Sequence, residues 1–247
     1  MNAEPADQIR LLDLQALDSR LDQLAHRRRS LPEHAEIEKR TADLTQLRSL
    51  TVAAETQLSD TQRELTKAEQ DVEQVRARAQ RDQQRLDSGA VTSPKDLANL
   101  QSEIASLAKR QSDLEDVVLE VMERLESAQT RVTEMTARRD DAQHSAQEAE
   151  QRRDAAFAEI DAEADKVRRE RETVASVIPA DLMKLYTRLR EQNGGVGAAR
   201  LYQRRCEGCR VELSITDLND VRAQAANAVV RCENCGRILV RTADSGL

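Results

Sequence analysis

Aromatic side chains are nearly missing: Phe157, Tyr186 and Tyr202 are the only ones in 247 residues, and there is no tryptophan. A globular core of that length needs bulky side chains to fill it, so an ordinary single-core domain is excluded. Glycine (7) and proline (4) are scarce too, leaving few places where a helix must stop. No run of about 18 apolar residues occurs, so no transmembrane helix is expected. The opening Met1-Asn2-Ala3-Glu4-Pro5 lacks a signal-peptide pattern, which makes a cytoplasmic protein the expectation. Full disorder is excluded in turn, because Leu, Val and Ala are abundant and regularly spaced.

What remains is charge and periodicity. Charged residues make up 34 % with a net of −7, and the basic ones are 32 Arg against 6 Lys, which points to a GC-rich bacterial genome more than to a partner. Residues 1–199 carry a net of −9 and residues 200–247 a net of +2. Four thiolates on a divalent ion would bring that tail back to about neutral.

Steps of three and four from Ile37 pass through Leu44, Thr51, Leu58, Leu65, Val72 and Ala79 to Leu86 without a slip. A second run starts at Leu97 and passes through Ile104, Val118, Leu125, Ala146, Ile160 and Val167 to Val174 and Val177. An apolar seam kept in phase this long with charged flanks is the coiled-coil pattern. Between the runs lies Ser88-Gly89-Ala90-Val91-Thr92-Ser93-Pro94-Lys95-Asp96. Gly89 suits the left-handed position that ends a helix, Ser93 an N-cap, Pro94 the first helical residue and Asp96 the third. Folding back at this joint pairs residues whose numbers sum to about 183 on arms of roughly 120 Å, at 1.5 Å per residue. That register sets Leu17 against the Val167 region, Ile9 against Val174 and Ile37 against Ala146. Leu14, Leu17, Leu21 and Leu24 keep the same rhythm out of phase with Ile37. A break is therefore expected at Ser30-Leu31-Pro32-Glu33, where Ser30 and Glu33 have capping-box spacing. Ile178-Pro179 ends the second long helix, and residues 181–192 read as a short amphipathic helix.

All four cysteines lie near the end, as Cys206-x2-Cys209 and Cys232-x2-Cys235. In a cytoplasmic chain this spacing reads as one metal site rather than two disulfides. Four thiolates complete a tetrahedron and leave no position for water, so one structural Zn ion is expected, with a redox dithiol pair or iron as the other readings. Gly236 follows the last ligand and can take the backbone angle of such a knuckle. The first pair differs, with Gly208 before Cys209 and Arg210 after it. Stretches 198–202, 211–215, 229–231 and 238–240 suit short strands. The fold class is thus mainly α: a long antiparallel two-helix coiled-coil hairpin over residues 1–178, with a break near 30–33 and a tip at 88–94. Residues 179–247 form a connecting helix and a small β zinc ribbon.

Little else resembles chemistry. No P-loop, dinucleotide-binding or nucleophile motif is present. His26, His34 and His144 read as solvated helix residues. The acidic run Glu115, Asp116, Glu120, Glu123 and Glu126 reads as a solvated face, with partner docking as the sharper alternative. Arg200, Arg204, Arg205 and Arg210, interrupted only by Glu207, are the candidate contacts for nucleic acid or a protein partner. The expectation is a non-enzymatic, monomeric zinc-binding adaptor that engages a protein partner, with no membrane and no small-molecule substrate. A nucleic-acid binder using the basic ribbon face is the alternative.

The joint Val91-Thr92-Ser93-Pro94-Lys95-Asp96-Leu97, the stretch Ile178-Pro179-Ala180-Asp181-Leu182, and the ribbon segments Cys206-Glu207-Gly208-Cys209 and Cys232-Glu233-Asn234-Cys235-Gly236-Arg237 carry a resemblance over nearly the whole chain. They resemble a bacterial family of coiled-coil hairpin proteins that end in a four-cysteine zinc ribbon. The resemblance implies an adaptor: members in flagellated or type III-secreting bacteria bind the enhancer-dependent sigma factor and export-apparatus components. RNA binding is one further role it implies.

Overall fold

A computed structural model describes residues 1–247. The elements in chain order are α1 (Pro5–Arg29), α2 (Pro32–Asp87), α3 (Pro94–Ser176), α4 (Ala180–Gln192), β1 (Ala198–Tyr202), β2 (Arg205–Cys206), α5 (Ile215–Ala223), β3 (Val230–Arg231) and β4 (Ile238–Val240). Two compact units result, one made of residues 1–34 and 151–247 and the other of residues 35–150. The boundary read at 178/179 lies inside the first.

The second unit is an antiparallel hairpin of α2 and the first part of α3. Every seam position read from Ile37 to Leu86 is buried or half-buried, and so is every one from Leu97 to Ala149. Many of the most buried are small, including Ala54, Ala68, Ala128, Ala146 and Ala149. Thr51 and Thr61 also sit in the seam, and their hydroxyls donate to the carbonyls of Leu47 and Gln57 at 2.9 Å. That local bond lets a polar side chain enter an apolar seam without an unmade hydrogen bond. Cross-arm ion pairs Arg78–Glu103 and Arg124–Glu64 flank the seam. At the tip, Gly89 has φ +72 and its N–H bonds to the Leu86 carbonyl, so the expected left-handed stop is present.

The first unit departs from a simple hairpin base. Leu17 and Leu21 pack with Leu24, Ile160, Ala164 and Val167, as the register predicts. Ile9, however, is 46 % exposed rather than set against Val174, and Val177 is exposed while Ile178 is buried. The reason is a second core: Leu11 and Leu14 of α1 pack against Ile178, Leu182, Tyr186 and Leu189, and against Ile238 and Val240 of the ribbon. α1 is thus turned to serve α4 and the sheet, and its apolar stripe follows that face. The break at 30–31 is present, but Ser30 does not cap α2; its hydroxyl and N–H both bond back to the His26 carbonyl and close α1. Beside the break, the Arg28 guanidinium lies 4.1 Å from the centre of the Phe157 ring, with His34 on the same ring.

A polar network holds this unit together. Asp18, only 3 % exposed, accepts Arg171 Nε at 2.6 Å and the Tyr186 hydroxyl at 2.7 Å. Gln15 accepts the N–H of Gly197 at 2.7 Å and donates to the Gly195 carbonyl at 2.9 Å. Arg190 reaches Asp22 at 2.7 Å. One face of α1 is thereby bonded to α3, α4 and the loop that enters the ribbon. Gly197 is glycine for a packing reason: a Cβ there would lie 2.6 Å from the Tyr186 carbonyl oxygen.

Candidate metal centre

The ribbon sheet has the order β2-β1-β4-β3, with β1 parallel to β4 and the other pairs antiparallel. The cysteines sit at its turns. Cys206 ends β2 and Cys232 follows β3, and both are buried, while Cys209 and Cys235 are half-buried on the turns that follow. The four sulfurs all lie within 4.8 Å of one another, with Cys206–Cys235 at 4.0 Å and Cys209–Cys232 at 3.9 Å. A disulfide needs about 2.05 Å, so these are not disulfides. Sulfurs at about 2.3 Å from a tetrahedral ion stand about 3.8 Å apart, which matches the closest pairs.

Both turns are built alike. The N–H of Arg210 bonds to the Cys206 carbonyl at 2.7 Å, and the N–H of Gly236 bonds to the Cys232 carbonyl at 2.7 Å. Gly236 has φ +68 and Arg210 has φ +60. The departure read at the first pair is therefore one of residue type and not of backbone: a non-glycine occupies the left-handed position. Gly208 serves packing instead, since a Cβ there would lie 2.8 Å from Arg237 Cδ and 2.9 Å from Ala199 Cβ.

Electrostatics around the sulfurs are uneven. Burial pushes the Cys206 thiol up to about 12, against the backbone N–H groups of Cys209 and Gly208 that favour its thiolate. Burial likewise raises Cys232, opposed by the N–H groups of Cys235 and Asn234. At Cys235 burial also acts upward, but hydrogen bonds with the backbone N–H and side chain of Arg237 and with the Cys232 and Cys209 side chains together outweigh it and bring the thiol down to about 7. The turns aim N–H groups at sulfur, an arrangement suited to thiolate ligands, and a cation would remove the burial penalty that keeps Cys206 and Cys232 protonated.

The sheet also rests on a helix, in a stretch whose apolar residues alternate like a strand. Residues 211–215, read as a strand, supply only a bridge at Glu212 to Arg205; Ser214 instead caps α5. Ser214 Oγ accepts the N–H of Asp217 and the Asp217 carboxylate accepts the N–H of Ser214, a complete capping box that Ser214-x-x-Asp217 encodes. Leu213, Leu218 and Val221 then pack against Cys206, Cys232 and Leu239. Arg241 donates to the carbonyls of Gln224, Ala225, Ala226 and Ala228, gathering the chain after α5. Arg231 and Arg237 likewise bond to backbone carbonyls, at Gly236 and at Val196 and Asn193. Three of the eight arginines that make the tail basic therefore hold the backbone of the ribbon and of the loop that enters it.

The four candidate contact arginines are all exposed. Arg200 lies 4.0 Å from Glu207, and Arg205 stands across from Glu212. Arg204 and Arg210 occupy left-handed turn positions, at φ +67 and +60. Acids are thus interleaved among these arginines more than their order in the chain suggests. No histidine belongs to the sulfur cluster; His26 and His34 flank the break, and His144 pairs with Glu148 at 3.2 Å.

Comparison with known proteins matches this architecture piece by piece. Residues 14–194 match the CT398-like coiled coil hairpin domain, and residues 205–239 match the C4-type zinc ribbon domain. An uncharacterized protein of Mycobacterium tuberculosis is 36 % identical over 241 residues, covering 98 % of each chain. A solved structure from Mycobacterium smegmatis superposes with a TM-score of 0.86 at 34 % identity, covering 98 % of this chain and 100 % of that one. CT398 from Chlamydia trachomatis shares the fold, with a TM-score of 0.69 at 18 % identity over 96 % of this chain and 98 % of its own. No helix is long and apolar enough to cross a membrane. The chain belongs to the family of CT398-like coiled-coil hairpin proteins that carry a C4-type zinc ribbon.

Proposed function

We propose that this protein is a non-enzymatic cytoplasmic adaptor: a structural zinc ion folds its ribbon, and its hairpin arm binds a protein partner. The observation that carries the reading is the arm itself. Residues 35–150 spend their seam on pairing α2 with α3, yet Leu50, Val52, Val117, Leu119 and Met122 remain 41–60 % exposed on the outside. Scattered single apolar residues need no explanation, but several on an arm that shelters no enclosed cavity suit contact with another macromolecule. A substrate-processing site would need a pocket that excludes water and holds a reactant, together with an open coordination position or a poised nucleophile. The four-cysteine set supplies neither, since Cys206, Cys209, Cys232 and Cys235 fill a tetrahedron by themselves.

Crosslinking mass spectrometry in the native host tests the adaptor reading through Lys67, Lys95 and Lys109 of the arm. Protein peptides joined to those lysines are the expected result; crosslinks confined to Lys166 and Lys184, outside the arm, would defeat it. Nucleic-acid binding through Arg200, Arg204, Arg205 and Arg210 is the second reading, favoured only by their common exposure. It requires RNA or DNA affinity that falls steeply with salt and disappears in Arg204→Glu/Arg205→Glu. Glu207 and Glu212 beside two of these arginines argue against it.

A further inference from the structure

Among the exposed apolar side chains of the arm, Leu119 and Met122 stand out by their surroundings. They are 59 % and 49 % exposed, sit one turn apart on the same face of α3, and form an open groove of about 720 Å³ with Leu65 of α2 and Leu125. The groove ends in Gln129, Thr130 and Thr133, and no lysine or arginine lines it. Helical spacing sets Glu115, Asp116 and Glu123 three or four residues from Leu119, and Glu126 four residues from Met122. Asp116, Glu123 and Glu126 have no basic group within 4.0 Å, nor does Glu120 nearby; Glu115 alone meets one, Arg76 at 3.6 Å. Arg124, the one cation in residues 113–126, is turned to Glu64 at 2.8 Å. Repulsion among unpaired carboxylates on one helix face is a cost the isolated arm carries, and two large apolar side chains at its centre stay in water.

We propose that this groove docks an amphipathic, basic helix of a partner protein as a third helix on the arm. The inference rests on the adaptor reading and gives its partner a chemistry. Apolar side chains three and four residues apart on the incoming helix would cover Leu119, Met122 and Leu65, which removes them from water. Lysines or arginines flanking that stripe would meet Asp116, Glu123 and Glu126, which have no basic partner of their own, together with Glu115, and would speed encounter. A second copy of this chain fits poorly, because two-fold pairing through this face would set the same carboxylates against one another in a protein of net charge −7.

The test uses the full zinc-loaded chain and two fluorescent Leu/Lys peptides of about 18 residues, long enough to form a helix. One has leucines at helical spacing; the other has the same composition with no apolar face. The patterned peptide is expected to bind at least about tenfold more tightly, and Leu119→Ser/Met122→Ser to reduce that binding by at least about tenfold. Glu115→Gln/Glu123→Gln/Glu126→Gln should weaken it and flatten its salt dependence. Equal binding of the two peptides, no loss in the serine variant, or a stable dimer closed through this face in sedimentation would each overturn the proposal. If native crosslinks fall on the arm while the peptides fail, the groove assignment falls and the adaptor reading stands. Absence of arm crosslinks removes the adaptor reading itself.

Discussion

Replacing Asp18 by alanine should loosen the first unit more than any other single change in its polar network. The Asp18 side chain is 4 % exposed and takes both the Arg171 guanidinium and the Tyr186 hydroxyl, with Arg190 Nε a further 3.5 Å away. Removing one member of a buried pair costs about 3–5 kcal/mol, because the other is left desolvated. Here the lower end applies: Arg171 is 29 % exposed and can recruit water, and the Tyr186 hydroxyl keeps Gln15 Oε1 at 3.2 Å. We expect about 3 kcal/mol, against about 1–2 kcal/mol for Tyr186→Phe, which leaves Asp18 bonded to Arg171. The Gly197 amide reports the effect locally, since its N–H is bonded to Gln15 within the same network. Native-state hydrogen exchange at that amide should speed up about a hundredfold in Asp18→Ala. A loss below about 1 kcal/mol, or a loss no larger than that of Tyr186→Phe, would show that the Asp18 carboxylate does not hold the network together.

The same network fixes a pH dependence. Burial, then the hydrogen bond to Asp18, raises the Tyr186 phenol above its ordinary 10.0. A folded-state value above the unfolded one gives stability that is complete below pH 10.0 and is lost as the pH rises toward the folded value, so the advantage of wild type over Tyr186→Phe should shrink above pH 10.0 in urea titrations. At the turns, Gly236→Ala should cost about 1–2 kcal/mol of ribbon stability for its left-handed φ, whereas Arg210→Gly should be neutral or stabilising by up to about 1 kcal/mol, both read from thermal melts of the zinc-loaded chain. Arg241→Ala should destabilise the ribbon by about 1–2 kcal/mol: the Gln224 carbonyl loses its donor, whereas Ala225 keeps the Ala228 N–H and Ala226 and Ala228 keep Gln8 Nε2; Arg205→Ala, exposed on β2, should change it by less than about 0.5 kcal/mol. A strong zinc chelator should abolish hydrogen-exchange protection in β1–β4 and leave the far-ultraviolet helical signal of residues 35–150 nearly intact.

How much of this was readable beforehand follows from what each feature looks like in one dimension. The seam from Ile37 to Ala149 was legible because burial there repeats every three and four residues, and so were Gly89, Pro32 and the two Cys-x2-Cys pairs, whose chemistry is local. α1 was misread in part. Its buried Gln8, Gln15 and Asp18 are indistinguishable by type from solvated polar residues, and only the approach of α4 and the ribbon buries them. Only the hairpin register places Ile9 in the seam, and the turn of α1 toward that second core exposes it. α5 had a signal in Ser214-x-x-Asp217, overridden by the alternation of Val211, Leu213 and Ile215. Arg210 in a left-handed knuckle had no signal, because glycine is the residue that normally marks it. Glu207 is visible among the arginines in the chain, but Glu212 comes to Arg205 from across a ribbon turn, which spacing along the chain does not reveal.

The proposed role requires that Cys206, Cys209, Cys232 and Cys235 close the coordination of one zinc ion, so that the ion is structural and function falls to surfaces. Zinc-edge X-ray absorption on the protein as isolated from its host measures this directly. Four sulfur scatterers at about 2.3 Å, with no oxygen or nitrogen in the shell, are the expected result. Three sulfurs and one lighter ligand would mean an open position at the ion, and would contradict it.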